Sequence, residues 1–324
     1  MATSWPESLD IIFGTAQQIC DRVRELTNGN FSITAFPAGG IAPPLEILDT
    51  VQTNTVECGH TLGYYYIAKN PAFAFTSGVP FGLTARQHMA WMQSGGLELT
   101  RAVYADFNAI NFPAGSTGTQ MGGWFKRKVQ SLDDLKSLKM RIPSLGGEVM
   151  KRLGVQVQTL PPSEILTALE RNDIDAAEWS TPYDDEKLGL SKIAKYYYYP
   201  GWQEPGTTFE LIVNQSAWEQ LPTEYQQMLQ LAASECQATT LAQYDSLNRE
   251  ALQRLVSNGT ELTPYSGEIL AAAQKAAFDM YEELANQNAD FRSIYEQWTA
   301  FRNSIYQWDR VGEQSFTNFT FQDS

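Results

Sequence analysis

Arg141 is the residue whose surroundings point most directly to binding chemistry. The stretch "SLKMRIPSLGGEVMKRLGV", residues 137–155, places it at the end of a strand-like segment, before Pro143 and two glycines that open a short helix. A glycine-rich turn can cradle a phosphate, whereas a single arginine can hold a carboxylate with its planar guanidinium. "SLGGE" lacks the lysine, the following hydroxyl residue and the third glycine of phosphate-binding loops. Arg141 is left with a carboxylate or an ordinary salt bridge as its partner.

Two acidic residues stand next to aromatic or proline residues at the ends of strand-like segments. "DIDAAEW" ends in Glu178 and Trp179, and "YPGWQEPGTT" contains Glu204. A carboxylate beside an indole suits the wall of a pocket, where burial penalises its charge unless a cation or a hydrogen-bond donor neutralises it. Each acid taken alone also fits an ordinary surface residue.

A polar loop supplies an amide that could complete such a site. "PAGSTGTQMGGWF", residues 113–125, has Gln120 at its centre and reads as a connection between two lobes. Oxygens of Glu, Gln and main-chain carbonyls are the ligands that a hard cation takes. Taken together, Arg141, Gln120, Glu178 and Glu204 predict an anion site beside a small cation site.

Other catalytic chemistry has little support in the sequence. His60 and His88 lie in no recognisable triad or metalloprotease helix. Cys20, Cys58 and Cys236 are too scattered for a disulfide framework or a metal-binding pair, and Cys20 falls on an apolar helix stripe that predicts a buried thiol. An enzyme that uses carboxylates alone, such as a glycosidase or a lyase, stays an alternative.

The bulk composition favours a two-domain protein with a small-molecule partner. A chain of 324 residues exceeds the usual size of one core, and 43% hydrophobic residues suffice for two. The net charge of −14 disfavours nucleic acids and anionic lipids. No apolar run approaches the roughly 20 residues of a membrane span, so we expect no membrane insertion. The first residues lack the features of a secretory signal, which fits a cytosolic protein or one whose signal has been removed.

The elements that must position these residues alternate between strand and helix. A helix is predicted over residues 9–26 and a strand over "FSITAF", residues 31–36, and this alternation predicts a mainly parallel sheet. "LKMRIP" to "IDAAEW" forms a second block of the strand–helix–strand–helix–strand type. Long amphipathic helices follow over about 223–256, 266–287 and 290–308. Without a flexible linker, two such domains would move about a hinge.

Several of these segments resemble one known family. "SWPESLDIIFGTAQQI", "YYYIAKNPAFAFTSGVPFG", "GTQMGGWF", "LKMRIP" and "DIDAAEWSTPYDDEKLG" are similar to the periplasmic substrate-binding subunits of tripartite ATP-independent periplasmic (TRAP) transporters. The resemblance is to the DctP-like family, in the branch that binds 2-oxo acids and lactate, and it runs from Ser4 to about Asn214.

The resemblance implies an α/β fold of the two-lobed periplasmic-binding-protein type, with long bridging helices and a helical C-terminal extension. Lobe I is expected over 1–122 with 210–250, and lobe II over 123–209 with 251–285. The tail, 286–324, is a possible dimerisation element, since helix-swapped dimers are known in this branch. Export with a cleaved signal is also implied, so the expected location is the periplasm.

The resemblance also assigns roles to the polar residues. It implies that Arg141 pairs with the ligand carboxylate. A sodium or calcium ion would bind with the ligand, coordinated by Gln120, Glu178 and the carbonyl of Trp179, with Glu204 as a further glutamate at the site.

Aromatic residues complete the implied site. A tyrosine of the "YYY" run matches most plausibly Tyr65, although Tyr64 or Tyr66 could be in register instead. The apolar walls around a small substituent would come from Trp179, Tyr65 and Phe209.

The function implied is that of a non-enzymatic receptor for a small 2-oxo or 2-hydroxy monocarboxylate, such as pyruvate or lactate, that delivers its ligand to TRAP membrane subunits. A receptor for a dicarboxylate or an amino acid is the alternative within the class. Many relatives have glycines after the arginine where this chain has "PSLGG", so Pro143 is expected to alter the local backbone and with it the ligand preference.

Overall fold

The computed structural model describes residues 1–321. Within these residues the strands form two sheets, which we call sheet I and sheet II. The strands are β1 (Ala2–Thr3), β2 (Cys58–Thr61), β3 (Ala109–Gly118), β4 (Gly123–Phe125), β5 (Lys139–Arg141), β6 (Gln156–Gln158), β7 (Ala176–Ala177), β8 (Tyr196–Tyr199), β9 (Thr207–Asn214) and β10 (Glu261–Pro264).

Helices surround both sheets and form the whole C-terminal part of the described chain. They are α1 (Asp10–Leu26), α2 (Ile47–Gln52), α3 (Ala74–Ser77), α4 (Ala85–Trp91), α5 (Leu97–Ala105), α6 (Leu132–Leu135), α7 (Ser144–Arg152), α8 (Pro162–Glu170), α9 (Pro182–Leu188), α10 (Gln215–Gln220), α11 (Thr223–Ser257), α12 (Gly267–Gln287), α13 (Ala289–Val311) and α14 (Glu313–Thr320). A short 3-10 turn over Gly63–Tyr66 follows β2.

Sheet I has the order β1-β2-β9-β3. Its central strand β9, "TTFELIVN", is buried along its whole length and runs antiparallel to both β2 and β3. The C-terminal ends of β2 and β3 therefore lie at the same edge of the sheet as the N-terminal end of β9. Helix α11 packs along β3 and α1 and covers this sheet.

Sheet II has the order β10-β8-β4-β7-β5-β6. Strand β5 pairs in parallel with β6 and β7, while β4 runs antiparallel to its neighbours β7 and β8. The C-terminal ends of β5, β7 and β8 therefore share one edge with the N-terminal end of β4. In open α/β sheets this is the edge at which ligands bind.

The chain passes between the two sheets through short segments. Residues 119–122 connect β3 to β4, and residues 200–206 connect β8 back to β9; the long helix α11 leads to β10 by a third route. This arrangement confirms the predicted α/β fold with two lobes and long helices. The residue-level lobe boundaries stay a prediction.

One expectation about strand direction is confirmed and one expected strand is wrong. In each sheet of residues 1–321 all strands but one run in the same direction. The exceptions are β9 in sheet I and β4 in sheet II, which run against their neighbours where the chain returns between the lobes. Residues 31–36 form no strand; Phe36 makes only an isolated bridge to Ala2. The neighbouring strand β1 is two residues long and offers too little edge for an extended ladder.

The predicted C-terminal helices are confirmed, with bounds shifted by one to three residues. Helix α13 packs against α12, and α14 extends beyond it. Residues 322–324 of the predicted tail lie outside the described residues. Among the helices of residues 1–321, none combines the length and the apolar character needed to cross a bilayer.

Candidate ligand and cation site

Arg141 ends β5 with its side chain almost completely buried, at 1% exposure. Its Nε donates to the carbonyl of Leu160 at 3.1 Å, and its Nη1 donates to the carbonyl of Glu178 at 2.5 Å. Nη2 has no hydrogen-bond partner within the protein. Since a buried guanidinium normally has its donors satisfied, this nitrogen is available to a ligand oxygen.

Glu178 follows β7, and its backbone N–H donates to the carbonyl of Arg141 at 2.9 Å. Its carboxylate is fully buried and lies 3.4 Å from Nη1 of Arg141. Burial raises the pKa of Glu178 well above its usual value; the charge of Glu204 raises it further, and Arg141 opposes the shift. The single positive charge of Arg141 therefore has to balance two buried carboxyl groups, those of Glu178 and Glu204.

Glu204 lies in the crossing segment 200–206 and is also buried. Its Oε2 accepts a hydrogen bond from Thr207 Oγ1 at 2.8 Å, while Oε1 has no partner. Burial raises the pKa of Glu204 to about 7, with the Thr207 hydrogen bond opposing the shift. The second acid is thus only half satisfied by the protein.

Gln120 lies in the other crossing segment, and two threonines fix its amide. Its Nε2 donates to Thr117 Oγ1 at 3.2 Å and to Thr207 Oγ1 at 2.9 Å. The opposite amide atom then faces Glu178 Oε1 at 3.1 Å and Glu204 Oε2 at 3.3 Å. In this orientation three oxygens face one another with no amide N–H or threonine hydroxyl donating between them.

The reversed amide would place nitrogen between the two carboxylates and oxygen beside the threonines. Each threonine hydroxyl has a single proton, and both protons have other acceptors: Thr207 donates to Glu204, and Thr117 to the carbonyl of Gly118 at 3.0 Å. Both hydroxyls can then accept from Gln120 Nε2, which keeps the Gln120 oxygen directed at the acids. We therefore favour the orientation with three facing oxygens.

A small cation fits this donor set. Two carboxylates and an amide oxygen about 3 Å apart match the oxygen-rich environment of Ca²⁺ or Na⁺, which takes further oxygens from carbonyls, water or a ligand. Within residues 1–321 there is no cluster of three or more His, Cys, Asp or Glu side chains that could hold a metal ion. The site depends instead on the amide of Gln120 alongside two acids.

Trp179 forms one wall beside the arginine. Its indole lies 5.2 Å from the guanidinium carbon of Arg141, close enough for a cation–π contact. The ring is buried and its Nε1 has no hydrogen-bond partner. Its carbonyl remains a predicted cation ligand.

The three consecutive tyrosines have different environments. The hydroxyl of Tyr66 contacts Thr61 Oγ1 at 2.9 Å and accepts from the backbone of Leu48 at 3.2 Å, so it serves the interior of sheet I. The hydroxyl of Tyr65 is buried without a partner. Burial raises the pKa of Tyr65 and the nearby Arg141 charge opposes the shift, which places this ring at the arginine.

Tyr64 lies edge-to-face with Tyr65, with ring centroids 5.1 Å apart. The Tyr64 hydroxyl lowers the pKa of Glu204, against the larger effect of burial. Two of the three tyrosines therefore border the polar cluster.

Phe209 lies in β9, two residues after Thr207. Its ring packs on Trp5 with a centroid distance of 5.5 Å, and Trp5 in turn lies 6.5 Å from Tyr65. Phe209 therefore lies one ring behind Tyr65. The structure brings the other predicted residues together directly and Phe209 through Trp5.

Both histidines are part of the interior. His60 accepts from Trp5 Nε1 at 2.7 Å and its other ring nitrogen contacts the carbonyl of Ala114, while His88 lies between Thr208 and the carbonyl of Phe75. Burial lowers the pKa of each histidine to about 4. The three cysteines are free and buried.

Sequence reasoning missed several polar residues of the site. Thr117 and Thr207 orient Gln120, and Gln203 donates to the carbonyl of Met121 at 2.7 Å while its Oε1 lacks a partner. Gln203 could have been suspected because it precedes Glu204. The threonines carry no local signal, since their role depends on a partner in another segment.

Two α/β lobes joined by crossing segments, with a buried polar site where these segments meet, define a two-lobed solute-binding protein. The model of the DctP family, bacterial extracellular solute-binding protein family 7, matches residues 1–288. The chain belongs to this family, whose members include TRAP transporter solute-binding proteins, and the resemblance seen in the sequence is confirmed.

Relatives with known names cover nearly the whole chain. A "monocarboxylate 2-oxoacid-binding periplasmic protein" of Nostoc sp. is 59% identical over 98% of this chain and 88% of its own. A TRAP solute-binding protein of Bordetella bronchiseptica is 45% identical with a TM-score of 0.98, over 99% of this chain and 96% of its own; it is a mixed-occupancy dimer with calcium and picolinate. A relative from Pseudoalteromonas atlantica, with sodium and pyruvate, is 33% identical with a TM-score of 0.95, over 98% and 97%.

Proposed function

We propose that this protein is the extracytoplasmic receptor of a TRAP transporter for a small 2-oxo or 2-hydroxy monocarboxylate, bound together with calcium or sodium. The receptor would deliver the ligand to membrane subunits and release it unchanged. The observation that carries the proposal is the set of three facing oxygens of Gln120, Glu178 and Glu204 beside the unpartnered Nη2 of Arg141.

Charge balance supports a cation and an anion bound together. A cation between the three oxygens would offset the two buried carboxylates, and the ligand carboxylate would then meet both Arg141 and the cation. Removing one partner from a buried ionic cluster leaves an uncompensated charge. The bound cation should therefore strengthen binding of the acid, and the bound acid should strengthen binding of the cation. Affinity for the acid should therefore depend on the cation.

The ligands of the relatives share one chemical feature. Pyruvate presents a carboxylate oxygen next to a 2-oxo oxygen, and picolinate presents one next to a ring nitrogen. Both can chelate a metal ion through two adjacent donors, which a simple fatty acid cannot do. We propose that the same two-donor chelate selects the ligand of this chain.

Calorimetric titration of metal-stripped protein tests the proposal. Pyruvate, lactate, 2-oxobutyrate and succinate are each titrated without metal, with calcium and with sodium. We expect tight binding of a monocarboxylate that strengthens with one of the cations. Propionate, which lacks the 2-oxygen, is the matched control and should bind at least tenfold more weakly than pyruvate; equal binding would contradict the chelate.

The members of this family are transport receptors, and we propose that this chain likewise performs no catalysis. Incubation with the bound acid followed by NMR of the released ligand should return it chemically unchanged. Turnover would favour the alternative of a carboxylate-based enzyme. Tighter binding of succinate than of pyruvate would instead favour a dicarboxylate receptor.

The C-terminal helices suggest a self-association surface, and we propose residues 286–324 as the dimerisation element. Large apolar side chains stay exposed on α13 and α14, namely Trp308, Val311, Phe316 and Phe319. An apolar surface of this kind is unusual on a monomer. Sedimentation equilibrium should give a dimer for the wild type and a monomer for the Phe316→Glu/Phe319→Glu variant. Leu231→Glu, at an exposed position of α11, is the control and should stay dimeric.

A further inference from the structure

Ser144 opens α7 in a backbone conformation that serine rarely adopts. Its φ is +62°, in the left-handed region where a Cβ is crowded and glycine is favoured. The residue is 8% exposed, and its Oγ has no hydrogen-bond partner. A buried and unpaired hydroxyl on a disfavoured backbone is unfavourable in two ways at once, which points to a role in binding.

The first turn of α7 borders the ligand site from several directions. Ser144 lies three residues after Arg141, at the same strand-to-helix junction. A Cβ on Gly146 would lie 2.9 Å from Cβ of Gln203, so this turn packs against the segment that carries Glu204. Helix α7 also packs against the turn over Gly63–Tyr66, which carries Tyr65.

Unpartnered polar atoms come from each of these segments. They are Ser144 Oγ, Arg141 Nη2, Tyr65 Oη and Gln203 Oε1, all of them buried. The N-terminus of a nine-residue helix adds free backbone N–H groups and the positive end of its dipole. Arg141, Ser144 and this helix end all favour a negatively charged oxygen.

We propose that Ser144 is a ligand-binding residue whose hydroxyl donates a hydrogen bond to the ligand carboxylate, beside Nη2 of Arg141. This inference rests on the proposed function. The cation and Arg141 hold one side of the carboxylate, and Ser144 binds the oxygen that these two groups leave free. The left-handed backbone is retained because it points the hydroxyl into the site.

Two variants separate the hydroxyl from the backbone. Ser144→Ala removes the hydroxyl and keeps the disfavoured conformation, while Ser144→Gly removes both. In calorimetric titrations with calcium, each variant should bind pyruvate about tenfold more weakly than the wild type, the usual scale for a hydrogen bond to a charged group. The loss should be equal for lactate and 2-oxobutyrate, because all three acids share the carboxylate.

Ser137→Gly is the matched control. Ser137 is exposed and also has a positive φ, +70°, but lies outside the site. Relief of the strained left-handed backbone should raise the melting temperature of Ser137→Gly and Ser144→Gly by roughly 1–3 °C. Only Ser144→Gly should lose affinity for pyruvate. A stable, folded Ser144→Gly protein makes its affinity loss interpretable even if Ser144→Ala folds poorly.

Four results would overturn the contact. Wild-type affinity for pyruvate in both Ser144 variants would exclude it, and so would a loss in Ser144→Ala that Ser144→Gly does not share. A loss confined to one acid would place the hydroxyl at the variable end of the ligand instead. Failure of the wild type to bind any of the three acids would refute the proposed function, and this contact with it.

Discussion

Buried acids in sheet I and at the candidate ligand site differ in how fully the protein satisfies their carboxylates with hydrogen bonds. Glu210, in β9 of sheet I, is fully buried and accepts from Thr76 at 2.5 Å, Tyr104 at 2.7 Å and Asn111 at 2.7 Å. Burial raises its pKa, and these donors oppose the shift. The protein itself therefore provides what this carboxylate needs.

Glu178 and Glu204 are buried to the same degree but receive weaker or fewer hydrogen bonds. Glu204 accepts from Thr207 and has one unpartnered oxygen, and Glu178 faces the oxygen of Gln120 and lies 3.4 Å from Nη1 of Arg141. Burial alone therefore does not distinguish a structural acid from a binding acid. The distinction lies in whether donors of the protein satisfy the carboxylate or whether it is left for a bound cation or ligand.

The largest expected effect comes from exchanging one acid of each kind for its amide. Glu178→Gln should abolish the cation dependence of pyruvate binding and weaken binding in calcium roughly 100-fold, the scale of a disrupted metal site. Glu210→Gln should keep the cation dependence but lower stability by about 2 kcal/mol, because an amide cannot accept from all three donors. Calorimetry and denaturant unfolding measure the two effects. Cation-dependent binding by Glu178→Gln would remove Glu178 from the site.

A smaller loss is expected for Arg141→Lys. Lysine keeps the positive charge but cannot hold both the Glu178 carbonyl and a ligand oxygen in one plane, so pyruvate affinity should fall at least about tenfold. Arg152→Lys is the control, because Arg152 pairs with Glu283 at the surface. Its affinity should equal that of the wild type. A near-normal dissociation constant for Arg141→Lys would take Arg141 out of the carboxylate contact.

The tyrosine pair extends the comparison from acids to hydroxyls. Tyr65→Phe should weaken pyruvate binding several-fold, because the unpartnered hydroxyl of Tyr65 is available to the ligand. Tyr66→Phe should leave affinity unchanged and lower stability by about 1 kcal/mol, since its hydroxyl bonds Thr61 and Leu48. Titration and thermal unfolding of both variants provide the measurements. The reverse pattern would place Tyr66 in the site.

The smallest expected effect is on the pH dependence of stability, at an acid with one satisfied and one unsatisfied oxygen. Asp184 in α9 is buried and accepts from Tyr244 at 2.5 Å, but its Oδ1 has no partner. Burial raises its pKa to about 7 from a usual value of 3.8. The folded protein therefore holds a proton that the unfolded chain releases between these values, and Asp184 should lower stability as pH rises through this window.

Denaturant unfolding between pH 4.5 and 6.5 tests this sign. Asp184→Asn should remove a slope of about 1.4 kcal/mol per pH unit, which corresponds to one proton. The exposed Asp279→Asn serves as the control and should keep the wild-type slope. Identical slopes for the wild type and Asp184→Asn would show that Asp184 is ionised in the folded protein across this range.

Local patterns in the sequence predicted much of the fold. Helical periodicity placed α11, α12 and α13 within a few residues, and strand–helix alternation located β5 to β7. The prediction failed for residues 31–36, because alternation alone cannot show whether a partner strand is long enough to pair with. The antiparallel direction of β4 and β9 was not predicted for the same reason, since pairing is a long-range property.

For the candidate site, the residue types in the sequence indicated ionic binding, but the sequence did not indicate how the side chains are oriented. A lone arginine after a strand and acids beside indoles suggested ionic binding, and the structure brings Arg141, Glu178, Glu204 and Gln120 together. The direction of the Gln120 amide depends on which acceptors the neighbouring threonines use. Nothing close to Gln120 in the sequence specifies that choice.

The sequence by itself determined which chemical groups are present and which segments form helices, because both depend on residue type and on neighbours within a few positions. Tertiary structure alone decided that β4 enters antiparallel between β7 and β8, which brings Gln120 to the edge that holds Arg141 and Glu178. It also decided that Tyr66 serves the core and that Ser144 is buried without a partner. These outcomes depend on contacts between distant segments, which only the packed chain defines.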